Sequence, residues 1–161
     1  MNIIFIQTGG TIDKDYPHTT KGWAFEFGEP AIGRVLKKLT PSFDYKLITA
    51  FQKDSLEITN DDKHALVDLI KNLKDDKFII THGTDTMIET ASYLSKHIKN
   101  KCIVITGAML PERFSNSDAS INLGSAIGAI NVLDDGIYIA MHGIVKTFNK
   151  INRNLDTGKY Y

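Results

Sequence analysis

The sequence predicts an α/β domain of three layers, in which helices cover both faces of a doubly wound, mostly parallel sheet. Short runs rich in Ile, Val and Phe alternate along the chain with segments whose apolar residues recur every three to four positions. The predicted strands are hydrophobic almost throughout, which is typical of parallel strands that are buried on both faces.

Five strands are predicted, at residues 3–7, 45–50, 78–81, 102–106 and 136–141. Between them, apolar stripes at helical spacing predict three helices, built on Ile32, Val35, Leu36 and Leu39, on Leu66, Leu69, Ile70 and Leu73, and on Leu123, Ala126, Ile127 and Ile130. A weaker stripe predicts a helix at residues 86–97. After the last strand, His142-Gly143 is typical of a turn, and residues 144–148 are predicted as a short strand or hairpin.

Residues 12–29 interrupt the alternation of strands and helices. They have no strong period, they form a longer connection than strand and helix usually need, and they contain four aromatic residues, Tyr16, Trp23, Phe25 and Phe27. Two interpretations are equally open: a lid or binding loop, or an Ω-loop anchored by its own aromatic side chains.

Composition narrows the class of protein. With 161 residues, of which 42% are apolar, the chain is predicted to fold as one domain over residues 1–161, alone or with copies of itself. Equal numbers of basic and acidic residues, 19 of each, argue against a nucleic-acid partner and favour a small polar substrate. Cys102 lies in an apolar run and is predicted to be a buried core residue. The chain has no basic leader and no apolar run of about 20 residues, so we expect a soluble cytoplasmic protein without a membrane partner.

Two threonine clusters directly follow predicted strands: Thr8-Gly-Gly-Thr11-Ile and Thr81-His-Gly-Thr84-Asp85-Thr-Met. In an open α/β sheet the carboxyl ends of the strands share one crevice, so the two turns can converge although they are far apart in the sequence.

These residue types suit acyl transfer from an amide. A threonine hydroxyl must lose its proton as it attacks, and Thr84-Asp85 offers a second hydroxyl beside a carboxylate. Glycines such as Gly10 and Gly83 let backbone N–H groups approach a ligand or an oxyanion closely. The alternative is purely structural: threonine and aspartate often cap helices, and Gly-Gly is often only a tight turn.

Cofactor sites are not predicted. The first glycine cluster lacks the third glycine and the spacing of a dinucleotide fingerprint, and the sequence contains no phosphate-binding Gly-Lys-Ser/Thr. The five histidines have no spacing typical of a metal site.

The motifs resemble those of the bacterial-type L-asparaginases, threonine amidohydrolases that convert asparagine to aspartate and ammonia. Thr8-Gly-Gly-Thr-Ile and His82-Gly-Thr-Asp-Thr-Met are similar to the two family signatures. The segment from Asp54 to Thr59 resembles the family's substrate-carboxylate segment. Gly107-Ala-Met-Leu-Pro, with Ser117-Asp and Asn122-Leu, resembles a third family stretch, so the similarity spans essentially the whole chain.

The resemblance implies a flavodoxin-like N-terminal domain and a role for each matching residue. Thr11 matches the nucleophile, and Thr84 and Asp85 match the second catalytic threonine and its aspartate, which also binds the substrate's amino group. Ser55 matches the serine that holds the α-carboxylate. The family's loop tyrosine corresponds to Tyr16, the only tyrosine in the equivalent loop.

Three features depart from the family pattern. Family members are longer, and their additional C-terminal domain lends a neighbouring subunit a glutamate. The family's catalytic lysine aligns with Arg153, whose guanidinium stays protonated and cannot shuttle a proton. A further substrate contact aligns with Leu56, which cannot hydrogen-bond.

Two functions therefore remain open. The chain is either an asparaginase-like amidohydrolase that works as a homo-oligomer on asparagine or a related small amide, or a module that binds an amino acid with weak or no turnover. It could also be a fragment of a longer protein.

Overall fold

The computed structural model describes residues 1–16 and 25–161. The strands are β1 (Asn2–Gly9), β2 (Lys14–Asp15), β3 (Glu26–Phe27), β4 (Asp44–Lys53), β5 (Lys77–Thr81), β6 (Cys102–Thr106), β7 (Gly136–Met141) and β8 (Ile144–Thr147). The helices are α1 (Ala31–Leu39), α2 (Asn60–Asn72), α3 (Met87–His97) and α4 (Ala119–Ile130). Short 3₁₀ turns lie at Thr11–Asp13 and Ser55–Glu57.

Six strands form one sheet in the order β4-β1-β5-β6-β7-β8. Every neighbouring pair is parallel except β7 and β8, which are antiparallel. The predicted doubly wound α/β fold is confirmed, and its first five strands have the flavodoxin-like order. The chain moves to one side of β1 to form β4 and then crosses to the other side to form β5, so the order reverses at β1.

Each face of the sheet packs on its own pair of helices. Along β1, Ile4 and Ile6 face one hydrophobic core with side chains of α2 and α3, whereas Ile3 and Phe5 face the other with side chains of α1 and α4. This separation follows from the two-residue period of a strand. The buried Cys102 belongs to the second core, as its apolar run predicts.

The structure differs from the sequence-based expectation at the start of α2. The apolar stripe begins at Leu66, but the helix already begins at Asn60, after a capping box between Thr59 and Asp62. The first turn is polar because it lies at the surface, so a hydrophobic period cannot reveal it.

The hairpin at the end of the sheet is confirmed. His142 and Gly143 form its two-residue turn, and both have positive φ angles, 52° and 79°. Left-handed backbone at both positions is typical of the turn that matches the twist of two antiparallel strands.

The long connection after β1 contains one unpredicted feature, a two-residue antiparallel ribbon in which Lys14 pairs with Phe27. Trp23 lies outside the described residues, so the choice between a binding loop and an Ω-loop stays a prediction. Phe25, Tyr16 and Phe114 contact one another, with ring centroids 5.1–6.2 Å apart. None of the described helices has the length and apolar character needed to cross a membrane.

Core burial gives a first testable expectation. Leu66 is fully buried on α2, whereas Val132 is 83% exposed. Replacing Leu66 with Ala should lower the free energy of unfolding by about 2–5 kcal/mol, because a cavity remains beneath the sheet. Val132→Ala should change it by about 0.5 kcal/mol or less. Urea unfolding of both variants measures the difference, and similar losses would contradict the packing described here.

Candidate active site

The candidate site lies where the carboxyl ends of β1, β4 and β5 meet, at the point where the strand order reverses. Ligands of open α/β sheets bind in this crevice. Thr11 follows β1, Ser55 follows β4, and Thr84 and Asp85 follow β5. The topology therefore brings three separate connections of the chain to one place.

Close backbone packing joins the two threonine motifs. A Cβ atom on Gly10 would lie 2.4 Å from the backbone nitrogen of Gly83, and a Cβ on Gly83 would lie 2.6 Å from Cβ and Oγ of Ser55. Gly10 also has a φ of +83°, which side-chain-bearing residues rarely adopt. Only glycine allows the three connections to touch in this way.

Gly10 and Gly83 differ in what their N–H groups do. The Gly10 N–H donates to the carbonyl of Lys53 at 3.0 Å, so it is not available to a ligand, contrary to the expectation from the sequence. The Gly83 N–H makes no hydrogen bond within the described part of the chain. Gly10 therefore contributes close packing, and Gly83 keeps an unpaired backbone N–H among the described residues.

The hydroxyl groups of the two motifs fall into two sets. Thr8 donates to the carbonyl of Thr81 at 2.7 Å, and Thr86 donates to that of Ser55 at 2.8 Å, so both hold backbone in place. Thr11 and Thr84 are half-buried, and their hydroxyls have no hydrogen-bond partner among residues 1–16 and 25–161; the same holds for the Ser55 hydroxyl. These three hydroxyls therefore make no described hydrogen bond to the protein; those of Thr11 and Thr84 are partly accessible, whereas Ser55 is only 2% exposed.

Arg153 lies over the end of the second motif. Its Nη1 donates to Oδ1 of Asp85 at 2.6 Å and to the carbonyl of Thr84 at 3.1 Å. The guanidinium is largely buried, and Asp85 is half-exposed. The predicted site residues Arg153, Thr84 and Asp85 are thus in direct contact.

Tyr160 is a member of this cluster that the sequence did not indicate. Its hydroxyl donates to the Thr84 carbonyl at 2.5 Å, next to the Arg153 donor. Burial raises the pKa of Tyr160 to about 12, so the phenol stays protonated as a donor. The contact arises because Arg153 and Tyr160 form an antiparallel β-bridge where the chain turns back on itself. No local sequence motif indicates this bridge.

Tyr16 lies at the surface of the long connection. Its side chain is 66% exposed, and its described ring contacts are with Phe25 and Phe114. An open groove of about 510 Å³ separates this aromatic cluster from the second motif and is lined by Lys14, Phe25, Phe27, Asp54, Leu56, Glu57 and Asp85. A hydrogen bond from Lys14 lowers the pKa of Asp54 within it.

His82 is a buried member of the second motif that contacts the motif's own backbone. It is fully buried, and Nδ1 lies 2.7 Å from the carbonyl of Gly83. Burial lowers its pKa to about 4, so the ring is neutral near pH 7 and acts as a donor to that carbonyl.

The third stretch noted in the sequence holds the connection after β6. Asp118 accepts hydrogen bonds from the backbone of Met109 and Leu110. Asn122 donates to the Gly107 carbonyl and accepts from the His142 backbone. These two side chains therefore hold the backbone of the connection after β6 and of the turn after β7 in place.

Asp13 was also missed by the sequence analysis. It lies two residues after Thr11, is only 1% exposed, and accepts a hydrogen bond from the backbone N–H of Ala31 at 2.7 Å. Burial raises its pKa to about 6. Its position in a long polar connection gave no sign that the carboxyl would be buried.

The family model for the N-terminal asparaginase domain matches residues 2–157. The chain belongs to the asparaginase family. Glutaminase-asparaginase of Acinetobacter glutaminasificans is 30% identical over a stretch that covers 86% of this chain and 48% of that protein. L-asparaginase 2 of Bacillus subtilis is 28% identical over 91% of this chain and 44% of its own length. The chain spans about half the length of the curated relatives it matches.

Solved asparaginase structures share the fold. The thermostable L-asparaginase from Thermococcus kodakarensis aligns with a TM-score of 0.82 and 26% identity over 95% of this chain and 48% of its own. A probable cytoplasmic L-asparaginase from Campylobacter jejuni aligns with a TM-score of 0.79 and 25% identity, over 99% of this chain and 52% of its own.

Asp13 and His82 give opposite pH dependences of stability. The pKa of Asp13 is raised from 3.8 to about 6, so between these values the folded state binds the extra proton and stability falls as pH rises. The pKa of His82 is lowered from 6.5 to about 4, so the unfolded state binds the extra proton and stability rises with pH. From about pH 4.5 to 6 the two slopes offset each other.

Asp13→Asn should therefore steepen the profile of this asparaginase-family domain. Because the variant lacks the titrating carboxyl of Asp13, its free energy of unfolding should rise by about 2 kcal/mol more than that of the wild type between about pH 4.5 and 6. Denaturant titrations at several pH values measure it. Asp62→Asn is the control, because the pKa of Asp62 is lowered and its effect falls below this window. Parallel profiles for wild type and Asp13→Asn would contradict the assignment.

Proposed function

We propose that this member of the asparaginase family hydrolyses the side-chain amide of asparagine, or of a related small amide, with Thr11 as the nucleophile. The observation that carries the proposal is the set of free hydroxyls on Thr11, Thr84 and Ser55 around the contact between Gly10 and Gly83. Relatives named glutaminase-asparaginase and L-asparaginase support the same chemistry.

In the proposed reaction the Thr11 hydroxyl oxygen attacks the carbonyl carbon of the amide. Its proton passes through the Thr84 hydroxyl, which like that of Thr11 is half-buried and has no described partner, and reaches the amide nitrogen, which leaves as ammonia. Water then hydrolyses the acyl-threonine and restores the hydroxyl. The Gly83 N–H is a donor for the oxyanion that forms at each step.

The substrate's charges suit the remaining groups. Asp85 is half-exposed at the groove and would receive the α-ammonium, while the Ser55 hydroxyl would donate to the α-carboxylate. Leu56 offers this substrate only apolar contact. In this proposal residues 1–161 form one domain that works as a cytoplasmic homo-oligomer.

Arg153 favours a second candidate function, a binding module with weak turnover. Its guanidinium contacts Thr84 and Asp85 but stays protonated, so it can orient these groups and cannot relay a proton. Ammonia release from asparagine and glutamine, measured beside a thermal-shift titration with aspartate, separates the two functions. Stabilisation by aspartate without ammonia release would favour the binding module.

Thr11 and Thr8 should respond oppositely to substitution. Thr11→Ala should abolish ammonia release but cost about 1 kcal/mol of stability or less, because its hydroxyl has no hydrogen-bond partner to lose among the described residues. Thr8→Val should retain turnover but cost about 1–3 kcal/mol, because it leaves the buried Thr81 carbonyl without this donor. Steady-state rates and melting curves of both variants test the assignment; full activity in Thr11→Ala would refute it.

Asp85 should determine the affinity for α-amino acids. Asp85→Asn keeps the shape of the side chain but removes the charge that would meet the ammonium group, so aspartate should bind more than about tenfold more weakly. Calorimetric titration measures the change. Asp68→Asn is a suitable control, since Asp68 is exposed on α2 and pairs only with His64. Equal affinity in wild type and Asp85→Asn would leave Asp85 with a structural role alone.

A further inference from the structure

The connection that carries Thr11 is attached to the fold mainly through Asp13. The 3₁₀ turn closes with a hydrogen bond from the Asp13 N–H to the Gly10 carbonyl at 3.2 Å. The Asp13 carbonyl accepts from the Gly28 N–H at 2.9 Å, and its carboxylate accepts from the Ala31 N–H at 2.7 Å. One residue therefore joins the turn after β1, the far end of the long connection and the start of α1.

Within the described part of the chain, the start of α1 has no other side-chain cap. Its N-cap is Pro30, which makes no capping bond, so the Asp13 carboxylate takes the place of a local cap from 18 residues away. A carboxylate is favourable there because the N-terminus of a helix carries partial positive charge and unpaired N–H groups.

The second carboxylate oxygen and two nearby polar atoms are buried without partners in the described part of the chain. Asp13 Oδ2, Gln7 Nε2 and Thr81 Oγ1 make no hydrogen bond within the described residues. Gln7 and Thr81 are paired neighbours on β1 and β5, and both lie near enough to lower the pKa of Asp13, although neither reaches hydrogen-bond geometry. A buried acceptor without a donor is costly, so this cluster favours the protonated carboxyl, in line with the raised pKa of Asp13.

We propose that Asp13 is a positioning residue for Thr11, which it holds by binding the start of α1 through its carboxyl group. The charged group that faces Asp13 is Arg34 on α1, which is itself hydrogen-bonded to Glu112 at 2.5 Å. Gln7 and Thr81 face it from the sheet and do not titrate. The folded state binds the Asp13 proton more tightly than the unfolded state, so the attachment depends on the carboxyl oxygen that accepts from the Ala31 N–H and not on the charge of the group.

The consequence for turnover rests on the proposed function, but the attachment itself does not. The first measurement is therefore the hydrogen-exchange protection of the Ala31 amide, followed by NMR. In Asp13→Ala the protection factor should fall about tenfold or more. In the wild type it should rise as pH decreases from 7 to 5, because the attached state binds the Asp13 proton more tightly. In Asp13→Asn, which keeps an acceptor oxygen but cannot titrate, protection should not change over this range.

The second measurement is the steady-state kinetics of ammonia release. Asp13→Ala should lower kcat about tenfold to a hundredfold with KM changed less than about threefold, because the nucleophile is displaced while the binding groups are intact. Asp13→Asn should recover most of kcat at pH 7, because it keeps the oxygen that accepts from the Ala31 N–H. Asp62→Ala, which removes the carboxylate from the start of α2, is the matched control and should leave kcat unchanged.

Each outcome decides a different statement. Unchanged Ala31 protection in Asp13→Ala would overturn the attachment. Lost protection with unchanged kcat would leave Asp13 as a helix cap only and would overturn the positioning role. Absence of ammonia release from the wild type would refute the proposed function, and the Ala31 measurement would still decide whether Asp13 holds the turn.

Discussion

The contact between Gly10 and Gly83 is the constraint on which the candidate site depends. These residues lie at the starts of two connections that are remote in sequence. A single added Cβ on either one would overlap the other connection or Ser55. The contact is possible because β1 and β5 are parallel neighbours on which Gln7 and Thr81 are aligned, so the turns leave the sheet at the same height. Each turn then places a half-buried threonine hydroxyl one residue further on.

The sequence predicted the parts of the fold that depend on local pattern. The strands at residues 102–106 and 136–141 have the observed bounds, because a buried parallel strand is apolar from end to end. The motifs at Thr11 and Thr84 could be located for the same reason, since they follow buried strands directly. The first turn of α2 and the ribbon between β2 and β3 could not, because polar surface residues form them.

The remaining site residues depend on tertiary contacts that no spacing encodes. Tyr160 reaches the Thr84 carbonyl only because the chain returns beside Arg153, and Asp13 is buried only because α1 begins next to it. In the sequence, both are ordinary polar residues of irregular segments. Tyr16 shows the opposite case: the sequence placed it in the long connection correctly, but its ring contacts are with Phe25 and Phe114.

The distribution of cations explains why Asp13, and not another carboxylate, is sensitive to pH. Asp13 and Glu112 are both buried, and burial by itself would raise the pKa of each carboxyl. For Glu112, hydrogen bonds from Arg34 and Lys38 outweigh burial, and its pKa is lowered. Because Arg34 bonds to Glu112, Asp13 receives only its longer-range attraction and the N–H of Ala31. The turn that carries Thr11 is therefore attached through a buried carboxylate that no cation of residues 1–16 and 25–161 binds directly, and a modest fall in pH is enough to neutralise it.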